Sequence, residues 1–373
     1  MAVTTRVFMR AGLAALLLAG CTSAPQRALE PSRPAIRHVF VIMLENQPFH
    51  LTFGPDSPAP YLAHELTPQG ALLRQYYGIG HFSLDNYLAM ISGQAPNPET
   101  QGDCGVLSEF VATGPLGEYG QLPGSGCVYP ASVKTLPDQL EAAGFTWKGY
   151  MEDMGKDPAR EAAECGHVPI GAKDITNHAT PDDQYADKHN PFVYFHSIID
   201  DVPRCRAHVV NLDVLRGDLI AAHSTPNYVY ITPNLCHDGH DAPCRNGEPG
   251  GLVSADAFLR EWVPRIVGSP AFEQDGVLVI TFDEGMLDSS ACCGERDLPG
   301  GKPAGLDGPG GGRIGALLLS PAIRPGTQSD VPYNHYSLLR WTEDVFGVPH
   351  LGYAAVSGLA VFGDDVFAPR ERR

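Results

Sequence analysis

Apolar positions along the chain fall into two kinds of run. Five stretches are short and almost continuously hydrophobic: His38 to Leu44 (HVFVIML), Phe145 to Met151, Tyr228 to Thr232, Gly276 to Phe282 (GVLVITF) and Ile314 to Ser320 (IGALLLS). Such runs read as strands buried on both faces. Between them, segments with helical spacing of apolar residues predict helices over Ser83 to Ser92, Ser132 to Ala143, Asn190 to Ile199, Leu212 to Ala222, Ala255 to Ile266 and His335 to Phe346. Strands of this kind alternating with helices imply an α/β fold built on a mostly parallel sheet covered on both faces. The Gly- and Pro-rich stretches 94 to 130 and 285 to 312 read as long loops, of the length that usually carries function or caps a site.

Ligands of open parallel sheets bind beyond the carboxyl ends of the strands. The first strand runs into Glu45-Asn46, the fourth into Asp283-Glu284, and the third into Thr232-Pro233-Asn234, followed by Cys236-His237-Asp238-Gly239-His240-Asp241. Acid pairs far apart in sequence can therefore converge, and convergent carboxylates repel unless protonated or bridged by a cation. A metal ion is the economical expectation. The segment HFSLDNYLAMISG (81 to 93) supports two compatible readings. Ser83 can cap a helix whose apolar stripe is Leu84, Leu88 and Ile91, or it can be a nucleophile at that helix start.

Composition narrows the field. With 373 residues, 43% hydrophobic and 18% charged, the chain can bury a large core. A formal charge of −17 disfavours nucleic acid as a partner. Arg6 and Arg10 precede an apolar run from Ala11 to Ala19, and Leu18-Ala19-Gly20-Cys21 looks like a bacterial lipoprotein processing site. The expected organisation is a signal peptide over 1–20, an acylated Cys21 with a tether to residue 35, and one catalytic domain over 36–373. The protein is thus expected to be exported and held at the membrane of the cell envelope by a lipid anchor. Eight cysteines remain after Cys21, and an exported chain permits disulfides. Cys236 and Cys244 suggest a local pair, whereas the adjacent Cys292 and Cys293 are expected to seek different partners. A zinc knuckle competes for these cysteines, but no repeated C-x₂-C pattern supports it.

Six ordered blocks, HVFVIMLENQPFHLTFG, HFSLDNYLAMISG, KHNPFVYF, TPNLCHDGHD, ITFDEG and YNHYSLLR, resemble the bacterial and fungal phosphoesterase family of secreted acid phosphatases and phospholipases C. The similarity spans roughly residues 36 to 350. It implies the alkaline-phosphatase-like three-layer α/β/α sandwich. It also implies Glu45, Asn46, Asp283 and Glu284 as metal ligands, with Ser83 both ligand and nucleophile. A bound divalent ion would lower the pKa of the serine hydroxyl and neutralise a phosphoryl oxygen. Two-zinc relatives in the superfamily follow the strand-end Asp with a His; here Glu284 stands there, and an all-oxygen set favours one Ca²⁺, Mg²⁺ or Mn²⁺. Asn86, one turn beyond Ser83, is expected to donate to a non-bridging oxygen. His189 and His240 are expected to act as imidazoliums that bind the remaining oxygens, one of them protonating the leaving alkoxide. His237, Asp238 and Asp241 can orient their neighbours, His335 is a helix-start or site residue, and His81 has no assigned role.

The resemblance has departures. Pro48, Phe49 and His50 stand where family members often carry Ser-Phe-Asp, and Asp85 where many have Pro. The longer phospholipases carry C-terminal extensions and this chain stops at 373, which favours a phosphomonoesterase. The expected activity is metal-dependent hydrolysis of phosphate monoesters through a phosphoserine, with an acidic optimum. The alternatives are a phospholipase C or phosphoinositide phosphatase acting on phospholipid headgroups, and a catalytically silent surface lipoprotein.

Overall fold

A computed structural model describes residues 1–4, 36–298 and 300–367. The expected signal peptide, Cys21 and the tether lie outside the described residues, apart from 1–4. Eight strands form the main sheet: β1 (His38–Leu44), β2 (Ala71–Leu73), β3 (Trp147–Met151), β4 (Val209–Asn211), β5 (Tyr228–Thr232), β6 (Gly276–Phe282), β7 (Ala316–Leu319) and β8 (Thr327–Ser329). Their order is β8-β2-β7-β6-β1-β5-β3-β4. The five strands from β6 to β4 are mutually parallel, and β7 runs antiparallel to both its neighbours. The α/β class and the mostly parallel sheet expected from the sequence are those observed.

The continuous apolar runs have a direct cause. All seven residues of β1 and of β6 are buried, so neither strand has a solvent face on which polar residues could alternate. These two strands and β5 have the boundaries read from the sequence. The three short strands β2, β4 and β8 carry no such signal and were not expected.

The longer helices are α1 (Ser83–Ser92), α2 (Leu136–Ala142), α3 (Val202–His208), α4 (Gly251–Val267) and α5 (His335–Phe346), of which α1 and α5 begin at site residues. The expected apolar stripe of α1 is only part of its burial, because all ten of its residues are buried, polar ones included. It ends at Gly93, whose φ of +66° suits glycine. A Cβ there would also lie 2.4 Å from the Leu351 carbonyl oxygen.

Two expected helices are broken. Asn190 to Ile199 divides into a 3₁₀ turn (Pro191–Tyr194) and one α turn (His196–Ile199), with Phe195 extended between them. Backbone bonds from Tyr129 N–H to the Tyr194 carbonyl and from His196 N–H to the Tyr129 carbonyl draw Phe195 into a strand-like bridge, overriding helical spacing. The segment 212 to 222 likewise holds only a 3₁₀ turn (Leu212–Val214) and Leu215–Asp218.

Four disulfides close loops: Cys104–Cys127, Cys165–Cys205, Cys236–Cys244 and Cys292–Cys293. The local 236–244 pair agrees with the sequence reading. The expectation that Cys292 and Cys293 seek different partners is overturned. The other six described cysteines are paired among themselves, and the adjacent residues bond to each other.

Candidate active site

Register positions the site. Leu44 pairs with Phe282 across the parallel β1–β6 ladder, so Glu45 and Asp283 leave the sheet side by side at the same level. The Asn46 backbone N–H donates to Asp283 Oδ1 (2.7 Å), and the Asn46 side chain donates to Glu45 Oε2 (2.9 Å). Asp238 arrives from the segment after β5, where its carbonyl accepts from the Glu45 backbone N–H (2.8 Å). Glu45, Asp238 and Asp283 are completely buried.

Ser83 opens α1 as its first helical residue, with Phe82 at the capping position and no side-chain cap. Its hydroxyl instead donates to Glu45 Oε2 at 2.8 Å. The capping reading of Ser83 is thereby corrected. The N-terminal N–H of Leu84 is satisfied by Asp103 Oδ1 (3.1 Å), which reaches in from the long 94 to 130 loop. The serine hydroxyl is left facing the carboxylates at the ends of β1 and β6.

Asn86 also differs from expectation. Its Oδ1 accepts from the Ile79 N–H (2.8 Å) and its Nδ2 donates to the carbonyls of Gly80 and Phe82 (3.0 Å each) and to Asp85 Oδ1 (3.0 Å). Its amide is used in holding the 79 to 82 turn that presents Ser83, with no donor turned toward a phosphoryl oxygen.

The structure groups Glu45, Asn46, Ser83 and Asp283 directly. Glu284 is turned against His81 Nδ1, while His81 Nε2 donates to the Asp288 carbonyl (3.0 Å). His81 thus gains a positioning role for Glu284 that its sequence did not assign. His335 belongs beneath the site: its Nε2 donates to the Asp283 carbonyl (2.7 Å), and its Nδ1 accepts from the Tyr76 hydroxyl (3.1 Å). Burial pushes its pKa down to about 4, so it is neutral.

The pKa values of His189 and His240 are shifted in opposite directions. His189 stacks on Tyr87 (centroids 5.1 Å apart), with Nε2 3.4 Å from Glu45 Oε1 and Nδ1 3.5 Å from Asp238 Oδ2. Burial, and then the charges of Lys188 and His240, hold its pKa well below the usual value. The expected imidazolium at His189 is therefore corrected to a neutral ring. His240 is half exposed, and its hydrogen bond to Asp241 (2.8 Å) raises its pKa. His237 pairs elsewhere, with Glu152 (2.9 Å) and Glu248 (3.1 Å).

Burial and mutual repulsion raise the pKa of Glu45 and Glu284 well above the carboxylate range, and burial raises that of Asp283. Asp238, for the same first reason, is pushed up to about 7. Asp283 Oδ2 is buried with no hydrogen-bond donor. An orphaned carboxylate oxygen among repelling, all-oxygen neighbours is the environment a hard divalent cation satisfies, so the residues present fit such an ion. Among the described residues, the groups of three or more His, Cys, Asp or Glu whose ligand atoms lie within 4.8 Å of one another are Cys236–His237–Glu248 and Cys292–Cys293–Glu295; the strand-end acids do not form a third. The cysteines of both groups are disulfide-bonded and offer no thiolate.

Sequence reasoning missed Lys188 and Asp103. Lys188 donates to Asp103 Oδ2 (2.9 Å) and lies beside the acidic group. Lys188 directly precedes His189 in one of the quoted blocks, which was the signal available; Asp103 sits in an irregular loop and gave none.

The molecule is thus a mostly parallel α/β protein with a serine hydroxyl set among carboxylates at the strand ends. It belongs to the Phosphoesterase family, whose profile matches residues 55–349. It is 26% identical to a phosphatidylinositol-3-phosphatase of Mycobacterium tuberculosis over 92% of this chain and 88% of that one. It is 25% identical to a phosphate-repressible acid phosphatase of Penicillium chrysogenum, over 77% of this chain and 55% of the relative. An acid phosphatase of Aspergillus fumigatus is also 25% identical, over 85% and 56%. The chain spans only a little over half the length of these two fungal relatives. Among solved structures, a Vibrio parahaemolyticus protein of the alkaline phosphatase superfamily aligns with a TM-score of 0.49 at 13% identity, over 86% of this chain and 68% of that one.

Proposed function

We propose that this protein hydrolyses phosphate monoesters through a phosphoserine formed on Ser83. The observation that carries this reading is the Ser83 hydroxyl donating to Glu45 at the junction of two strand-end carboxylates. Glu45, Asn46, Ser83 and Asp283 would hold one divalent cation, Ca²⁺, Mg²⁺ or Mn²⁺, with Glu284 oriented beside them by His81. When bound, that ion supplies charge neutralisation for a phosphoryl oxygen and acidifies the serine hydroxyl. Ser83 gives its proton to the Glu45 carboxylate it bonds, its Oγ attacks phosphorus, the ester P–O bond breaks, and the half-exposed His240 gives its proton to the leaving oxygen. Neutral His189 keeps Glu45 and Tyr87 in place. Water then gives a proton to His240 and attacks the phosphoserine; the P–Oγ bond breaks, Oγ takes its proton back from Glu45, and inorganic phosphate leaves.

The test is turnover of a chromogenic phosphomonoester by purified protein, with chelator and with each cation restored. Activity that depends on the cation and disappears in folded Ser83→Ala is expected. A Ser83→Ala protein that retains the activity defeats the reading.

A second reading, phosphoinositide or phospholipid hydrolysis at an envelope membrane to which Cys21 anchors the chain, is favoured by two observations. The M. tuberculosis relative matches along almost its whole length. Phe82, next to the nucleophile, is 49% exposed, and Leu287, on the loop whose Asp288 binds His81, is 84% exposed. Phosphate release from a lipid panel, compared with soluble esters, separates the two, and phosphocholine release would mark a phospholipase C.

A further inference from the structure

Asp103 does two things at the start of α1. One carboxylate oxygen takes the Leu84 N–H, and the other takes the Lys188 ammonium. A single side chain therefore bridges the residue after the nucleophile and a cation whose side chain is only 13% exposed. Asp103 precedes Cys104, whose disulfide to Cys127 ties this part of the loop down. Both Asp103 and Lys188 come from segments outside the strand ends that bear the other acidic groups.

An ammonium in this interior is electrostatically conspicuous. Its charge acts on Glu45, Asp238 and Glu284. Burial alone would pull the Lys188 pKa down, but Asp103 and Glu45 outweigh it and keep the group charged. A phosphoryl group on Ser83 brings further negative charge to the same place, next to the carboxylate of Asp103. Without a cation facing it, that carboxylate would oppose the phosphoryl group.

We propose that Lys188 binds the phosphoryl group delivered to Ser83, and that Asp103 is the positioning residue that holds Lys188 against the start of α1. This rests on the reading of Ser83 as nucleophile. The ligand class is a phosphomonoester dianion or inorganic phosphate, recognised by a charge-assisted N–H···O bond. Lys188 has three donors, and Asp103 engages one, leaving others for phosphoryl oxygens. A plain structural ion pair would instead be satisfied by removing both charges together.

That contrast sets the experiment. Binding of inorganic phosphate to cation-supplemented protein is measured by calorimetry, alongside KM and kcat for a chromogenic phosphomonoester. Lys188→Met is expected to weaken phosphate binding by about 10- to 100-fold, raising KM by a similar factor. Lys188→Arg should recover most of the loss. The double variant Asp103→Asn/Lys188→Met leaves no buried charge unpaired, so it guards against misfolding of the single variant. It is expected to bind phosphate as weakly as Lys188→Met. Lys148→Met, which breaks the Lys148–Asp218 pair elsewhere, should change neither constant.

Phosphate affinity restored in the double variant, or unchanged in Lys188→Met, overturns the proposal, as does unmodified protein that binds no phosphate. Unmodified protein that binds phosphate through Lys188 but turns over no phosphomonoester leaves this inference standing and removes the hydrolytic reading.

Discussion

Glu45 and Asp283 leave adjacent parallel strands at the same level, one residue beyond the Leu44–Phe282 pair, although they lie 238 positions apart in the chain. Their spacing is set by the ladder between two fully buried strands, and so the acidic centre takes its precision from the core.

Cation binding should stabilise the fold. With Asp283 Oδ2 unpartnered and its neighbours repelling it, saturating Ca²⁺, Mg²⁺ or Mn²⁺ at about 100 times its Kd contributes about 2.7 kcal/mol. That corresponds to a rise in melting temperature of roughly 3–5 °C for a domain of this size. Asp283→Asn is expected to lose the cation-dependent rise and to melt higher than the parent without cation, because one repelling charge is gone. Scanning calorimetry with and without chelator reads both.

Asn86 should behave as a structural keystone of the nucleophile turn. Asn86→Ala removes the bonds to Ile79, Gly80, Phe82 and Asp85 and leaves buried partners unsatisfied. A loss of roughly 2–4 kcal/mol in urea unfolding is expected. Activity should fall through kcat, since the turn sets where Ser83 points.

Stability should decline as pH rises from 5 to 9. Glu152 and Glu248 outweigh burial and push His237 up to about 9, while burial pushes Glu161 up to about 8 and Glu343 up to about 9. For His237 the folded state holds a proton that the unfolded chain releases above about 6.5, so its contribution is full below that value and lost toward 9. For the two glutamic acids the unfolded chain ionises near 4.5 while the folded state stays protonated, so stability again falls as pH rises through that window. The melting temperature at pH 5 is expected to exceed that at pH 9 by at least roughly 5 °C. A flat or rising profile contradicts the assignment.

The half-exposed His240 should give activity its alkaline limb. Its raised pKa extends the protonated form to higher pH than a free imidazole, and the proton it donates is lost as pH climbs through that pKa. His240→Gln is expected to lower kcat by about 10²- to 10⁴-fold on esters with poor leaving groups and to abolish the limb. Esters with good leaving groups, which need no proton, should be affected far less.

Much of this was legible in the chain because burial writes itself into composition. The runs 38–44, 228–232 and 276–282 are apolar throughout and became strands with those limits, and the polar residues just past them became the acidic centre. Less legible was anything decided by contacts between distant loops. Tyr129 broke the helix that residues 190–199 encoded, and at the start of α1, where local spacing offered Ser83 as a cap, Asp103 from a distant loop accepts the Leu84 N–H. The charge state of His189 depended on an enclosure that no local pattern reports.

The long loop at 285–312 is closed on itself by Gly285 N–H to the Gly311 carbonyl and fastened to the nucleophile turn by Gly311 N–H to the Gly78 carbonyl and His81 N–H to the Ala304 carbonyl, with little strand or helix among its described residues. Length or sequence changes beyond those fastenings would leave the ladder beneath untouched. On the proposed reading, descendants of this chain could trade one esterified alcohol for another by remodelling the parts of this rim that do not hold His81, with the strand-end acids left in place.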